Sequence, residues 1–164
     1  MTRDEVLSQL KTQRAEFDAR VHAIPRELLD VAMAGSTHSP KQIVAHVSAY
    51  ERLMVDRLRA ARLGEKTEFD RDRVGWQEFN DRIWAESSAL STDAVLARSA
   101  RDFLELLEEV ASLANAELSG TRGVAAAIDP AWLQGRSLAQ VIGVDGFEHY
   151  PMHFAQLEVA ATQV

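Results

Sequence analysis

Residues 39–61 read SPKQIVAHVSAYERLMVDRLRAA, and the fold follows from how this stretch is read. Ser39 suits a helix N-cap, and Pro40 suits the first helical position, where a missing N–H costs nothing. Ile43, Val47, Tyr50, Met54, Leu58 and Ala61 then recur at three- and four-residue spacing. That is the stripe of a helix with one buried face. Gly64 is placed to end it.

The same logic works outward in both directions. Upstream, Thr2 with Glu5 forms a capping box. Val6, Leu10, Phe17, Val21 and Ile24 mark a helix from about Thr2 to Ala23, with Pro25 just beyond. Downstream, the polar run Glu65 to Gly75 reads as too charged to pack, and a short helix is expected from Trp76 to about Ala89. Ser91-Thr92 opens a third long helix. Its expected buried face is Leu96, Ala100, Phe103, Leu107, Val110 and Ala114, with Asp102, Glu105, Glu108 and Glu109 in water. Gly120, Gly123, Pro130 and Gly135 break helical structure between Ser119 and Gly135. Ser137 with Gln140 is a further capping box, and the last helix carries Leu138, Ile142, His149, His153, Leu157 and Ala160. Alternating strand patterns are absent. The expectation is an all-α four-helix bundle forming one domain over residues 1–164, with a short extra helix in the crossover between helices 2 and 3. A long helix spans ~35 Å at about 1.5 Å per residue. The connection from Gly64 to Ser91 can cross that distance, so the second and third long helices can run parallel.

Composition narrows the function classes. The chain has no cysteine, which excludes thiolate metal sites, iron–sulfur clusters and a cysteine nucleophile. The 18 Lys and Arg stand against 25 Asp and Glu, a net charge of −7. Even the arginine-rich run Glu51 to Arg73 nearly cancels, with seven positive and six negative residues. On this count no nucleic-acid partner is expected. No run of 18 apolar residues exists and the N-terminus has no apolar signal-type segment, so no membrane partner and a cytoplasmic location are expected. There is no G-x-S-x-G elbow or phosphate loop. Nor is there the inward Glu-x-x-His pair that a di-iron carboxylate bundle needs.

The chemically informative cluster is Glu148-His149-Tyr150-Pro151-Met152-His153. His149 and His153 are four apart and so share one helix face, the apolar one. Imidazoles on a buried stripe are costly unless partnered. Such a pair can bite one divalent ion, with zinc, nickel, iron and manganese all open. His46, at the edge of the second helix's buried face, is the best third ligand; His22 and His38 are weaker candidates. The plainer alternative is a set of satisfied core histidines. Asp145, one turn before His149, could fix a ligand tautomer, bind the ion, or simply be solvated. Tyr50 could donate a proton to a substrate or merely pack. Trp76, Phe79, Asn80 and Trp84 could roof a pocket or merely pack. Pro151 is expected to kink the last helix beside the histidines.

Three segments together resemble the DinB/YfiT-like proteins. They are Ser39-Pro40-Lys41-Gln42-Ile43-Val44-Ala45-His46, His149-x-x-x-His153, and the crossover piece Trp76-Gln77-Glu78-Phe79-Asn80-Asp81-Arg82-Ile83-Trp84. The crossover piece and Asp145 to His153 look most like the ClbS/DfsB branch. The resemblance implies an up-down-down-up bundle and a divalent metal held by His46, His149 and His153. It also implies either thiol transfer or hydrolytic detoxification of a reactive small molecule, or metal-free sequestration of such a molecule. Thr37-His38 stand where the family often has a tryptophan, and Asp145 stands where the branch usually has asparagine. A homodimer is left open.

Overall fold

The computed structural model describes residues 1–120, 123–128, 133 and 135–163. Among these there is no strand. The long helices are α1 (Arg3–His22), α2 (Pro40–Arg62) and α5 (Thr92–Ala111). Between α2 and α5 lie α3 (Glu68–Arg71) and α4 (Trp76–Ala89); after α5 come α6 (Asn115–Ser119), α7 (Val124–Ala127) and α8 (Leu138–Asp145). A 3-10 turn, Tyr150–His153, then leads into α9 (Phe154–Ala161).

The capping residues act as the sequence implies. At Thr2, Ser39 and Ser137 the hydroxyl accepts from the N3 backbone, and the glutamate or glutamine at N3 answers the cap's own N–H. Each box satisfies two of the amide donors a helix start leaves open. The core is a continuous apolar cluster including Leu10, Phe17, Val47, Leu58, Leu106, Leu138 and Tyr150. No described helix is long and apolar enough to cross a membrane.

Cross-helix pairs fix the topology. Ser48 meets Asp102, Arg52 meets Glu105 and Arg62 meets Ser112, so α2 and α5 run parallel. The N-terminus of α1 reaches Asn115, while Arg14 meets Ser99 and Arg26 meets Asp93, so α1 opposes α5. Phe17 packs on Tyr150 and Arg20 pairs with Glu158, so α1 runs with the last segment. The order is up-down-down-up, with the α2–α5 link carrying α4.

Four local expectations need correction. The buried face of α5 is Val95, Ser99, Asp102, Leu106 and Val110; Ala100 and Ala114 are exposed, and Leu96, Phe103 and Leu107 are half-buried. Asp102 turns inward because Ser48 Oγ donates to it at 2.7 Å and Arg98 lies 3.6 Å away. The run 65–75 does pack: Thr67 caps α3, and Asp70 is buried on Arg57. The helical turn α7 lies within Ser119 to Gly135, the region read as loop, while Pro130 lies outside the described residues. The last helix is broken rather than kinked. It stops at Asp145, because a Cβ at Gly146 would lie 2.7 Å from Leu10 Cδ2 and 2.8 Å from the Ile142 carbonyl oxygen. The bare glycine lets the chain press against α1 before Pro151 starts the 3-10 turn.

Candidate metal centre

His46 sits in the second turn of α2, on the side facing the 3-10 segment. His149 caps that segment and His153 closes it. The break in the last helix thus leaves the two histidines on one side, with ring centroids 5.0 Å apart. His46 Nε2 lies 3.1 Å from His149 Nε2, and His153 Nε2 lies 3.1 Å from the same atom. The three possible ligand atoms all fall within 4.8 Å of one another. Around a tetrahedral zinc, with bonds of about 2.0–2.1 Å, neighbouring nitrogens sit about 3.3 Å apart. His46 and His149 are buried, and His153 is half-buried.

Hydrogen bonding shows what this convergence lacks. Gln156 offers its carbonyl oxygen Oε1 to His153 Nδ1 at 2.8 Å. That oxygen only accepts, so His153 carries its hydrogen on Nδ1 and turns a lone pair on Nε2 toward His149. His46 Nδ1 and His149 Nδ1 are both buried without a hydrogen-bond partner. Burial, and then the neighbouring imidazoles, hold His46 down to about 3 and His149 down to about 4. Burial also lowers His153, with Gln156 pulling the other way. The centre is therefore three neutral imidazoles whose Nε2 atoms converge on one point. Those donors fit a divalent cation in the borderline class that accepts nitrogen.

Aromatic walls surround the rings. Trp84 stacks on His46 at 4.9 Å and on His38 at 4.1 Å. Tyr50 packs 4.7 Å from His149 and 4.8 Å from His46, stacks on Trp76, and donates its hydroxyl to Asn80 Oδ1 at 3.1 Å. Burial, then the negative charge of Asp145, push the Tyr50 hydroxyl up to about 12, against the Asn80 contact and Arg57. Trp76, Asn80 and Trp84 thus roof the histidines from α4. His38 stacks on the outer wall, on Trp84, and adds to the lowering of His46. His22, exposed on α1, bonds back to the Asp18 carbonyl.

Asp145 is placed differently from expectation. Its carboxylate is buried and accepts from Arg57 Nη1 at 3.2 Å, not from an imidazole. Arg57 also forks onto Asp70, with contacts of 2.7 and 2.9 Å. Burial pushes the Asp145 carboxyl up to about 7, with Arg57 pulling it down and Asp70 adding to the rise. A second buried network went unread in the sequence. Arg14 donates to Glu51 at 2.7 Å and to Ser99 at 2.8 Å, and Tyr150 donates to Glu51 at 2.6 Å. Its signal was present: Arg14 lies three residues from Phe17 and four from Leu10, on the apolar face of α1.

A sequence profile described as the DinB superfamily matches residues 9–156. The chain belongs to the DinB superfamily. No curated protein matches the sequence. Solved structures share the fold. The colibactin self-resistance protein ClbS, crystallised with double-stranded DNA, is 13% identical with a TM-score of 0.82, covering 99% of this chain and 97% of that one. An uncharacterised protein from Clostridium difficile 630 is 16% identical with a TM-score of 0.82, covering 100% and 98%. A mycothiol-dependent maleylpyruvate isomerase is 14% identical with a TM-score of 0.71, covering 96% of this chain and 61% of that one. The ClbS complex overturns the exclusion of nucleic acid. The DinB fold accommodates a duplex, and a net charge averages over every face whereas counterion release depends on the cations along one track.

Proposed function

We propose that this DinB protein is a metal-dependent enzyme acting on a small reactive molecule, with His46, His149 and His153 holding one divalent ion. The observation that carries this reading is the convergence of three neutral imidazole Nε2 atoms on one point, within 4.8 Å of one another. A bound divalent ion supplies Lewis acidity, either to polarise an electrophile or to make water a better nucleophile near neutral pH. The protein's own residues do the rest. Tyr50, protonated up to about pH 12, keeps a hydroxyl hydrogen beside His149 and can donate it to a substrate oxygen in place of Asn80. Trp84 and Trp76 cover the ring faces and limit water. Asp145 acts at a distance, holding Arg57.

Thiol transfer and hydrolytic opening are both within reach of such a centre. The superfamily neighbours include a thiol-dependent isomerase and a self-resistance protein. The test assays metal-stripped and zinc-, nickel-, iron- or manganese-reloaded protein against neutral electrophiles such as an epoxide or an activated alkene. Each is run with and without a low-molecular-weight thiol and with and without duplex DNA. Turnover restored by one metal and absent in His149→Ala supports the proposal. Ligand binding without turnover at any metal loading favours sequestration.

A further inference from the structure

Arg57, buried on α2, is met by two carboxylates rather than one. Asp70 of α3 accepts from its Nε and Nη2 at 2.9 and 2.7 Å, and Asp145, the last residue of α8, accepts from its Nη1 at 3.2 Å. Asp70 is only 8% exposed and Asp145 only 3%. Thr67 adds a hydroxyl hydrogen to Asp70 but no charge. Among the described residues no second cation pairs with either carboxylate. One guanidinium against two carboxylates leaves a net charge of −1 inside the protein, where solvent and salt screen it little. The neighbouring histidine centre has the opposite deficit. Its imidazoles are neutral, so a divalent ion held there brings two positive charges and finds no negative one among its ligands. The two clusters adjoin. Asp145 precedes His149 by four residues, across the break at Gly146. The Arg57 guanidinium lies 5.8 Å from the ring of Trp76, which stacks on Tyr50 at 5.5 Å, and Tyr50 packs 4.7 Å from His149. The Asp145 charge reaches the Tyr50 hydroxyl, where it stands next after burial in raising that group.

On the metal reading of the centre, we infer that Asp70 and Asp145, gathered on Arg57, are the counter-charge of the histidine site and set its preference for a divalent over a monovalent cation. The carboxylates stay on Arg57 and act through space, and Arg57 is the residue that positions them. Attraction of this kind scales with the charge of the ion. A double and a single charge about 10 Å apart, at an effective dielectric constant of about 20, attract enough to change a binding constant by about a hundredfold; two single charges change it by about tenfold.

The test titrates the chelator-treated full chain with zinc and with silver(I), which also takes imidazole nitrogen, in chloride-free buffer at pH 8. Burial, opposed by Arg57 and reinforced by Asp70, holds the Asp145 carboxyl up to about 7, so it is ionised there. Asp145→Asn and Asp70→Asn each remove one negative charge and keep an acceptor for Arg57, and either one alone decides the matter if the other fails to fold. Asp56→Asn is the control, an acid 45% exposed and already paired with Arg52. The first two variants should keep their helicity and weaken zinc by about tenfold or more, and silver by about the square root of that factor. Asp56→Asn should change either affinity by about twofold or less. Zinc bound as tightly by Asp145→Asn and Asp70→Asn as by wild type overturns the counter-charge and leaves the metal centre standing. So does silver weakened as much as zinc, since a displaced imidazole costs both ions alike. A wild-type chain that binds neither ion overturns the centre and its counter-charge together.

Discussion

At Glu51 the bundle buries a carboxylate and answers it with the Arg14 guanidinium, the Tyr150 hydroxyl and, through Arg14, Ser99. At His46, little more than one turn earlier on the same helix, it buries an imidazole and answers it with two more imidazoles. In the first cluster donors meet acceptors and opposite charges meet, although Glu51 Oε2 has no hydrogen-bond partner of its own. In the second, three neutral Nε2 atoms converge with no opposite charge, and the Nδ1 atoms of His46 and His149 have no partner. Both are polar groups in a bundle core, where unmet polarity is expensive. The closed cluster is held by opposite charges within the fold. The open one lacks such a charge, and the proposed ion would supply it.

The comparison can be broken first at the closed cluster. Glu51→Ala leaves buried Arg14 with only the more exposed Asp18, 2.8 Å from its Nε, as counter-charge, and should cost ~3 kcal/mol in urea denaturation, while the folded fraction keeps its cation stoichiometry. The open cluster should behave in the opposite way. With free cation at about 100 times its dissociation constant, wild type should gain ~2.7 kcal/mol of stability. His149→Ala should gain none, because its loss falls on binding rather than on the bundle.

A third experiment sharpens the contrast through pH. Burial pushes the Glu51 carboxyl up to about 7 from 4.5, against the pull of Arg14 and Tyr150. A carboxyl raised on folding binds its proton more tightly in the native state, so its contribution is full below 4.5 and is lost as pH climbs toward 7. Glu51→Gln carries no such titration. Its stability relative to wild type should therefore rise across that window, by at most about 1.4 kcal/mol per pH unit. Denaturation curves at half-unit intervals check this. The smallest expected effect is Tyr50→Phe, which removes one half-buried hydroxyl and should cost about 1 kcal/mol or less. Cation binding should be kept while turnover falls.

Much of the centre was legible because it rests on local rules. The i,i+4 spacing of His149 and His153, their place on an apolar stripe, and Ser39-Pro40 fixing the phase of α2 at His46 are all short-range signals. What escaped depends on partners distant in sequence. Asp102 looks like a surface acid until Ser48, on another helix, is set beside it. Asp70 and Asp145 look solvated until Arg57 is seen to lie between them. The break after Asp145 was assigned to Pro151, whereas Gly146, pressed on Leu10, ends the helix earlier. Charge in a sequence suggests solvent, and only packing shows where two charges cancel.

The most direct measurement of the central claim is calorimetric titration of chelator-treated, untagged protein with zinc, beside His46→Ala. The account predicts one ion per chain for wild type, with protons released only as far as the buffer demands because the imidazoles are already neutral, and a loss of affinity of about 100-fold or more in the variant. A wild-type chain that takes up no divalent ion, or a variant that binds as tightly as its parent, would contradict it.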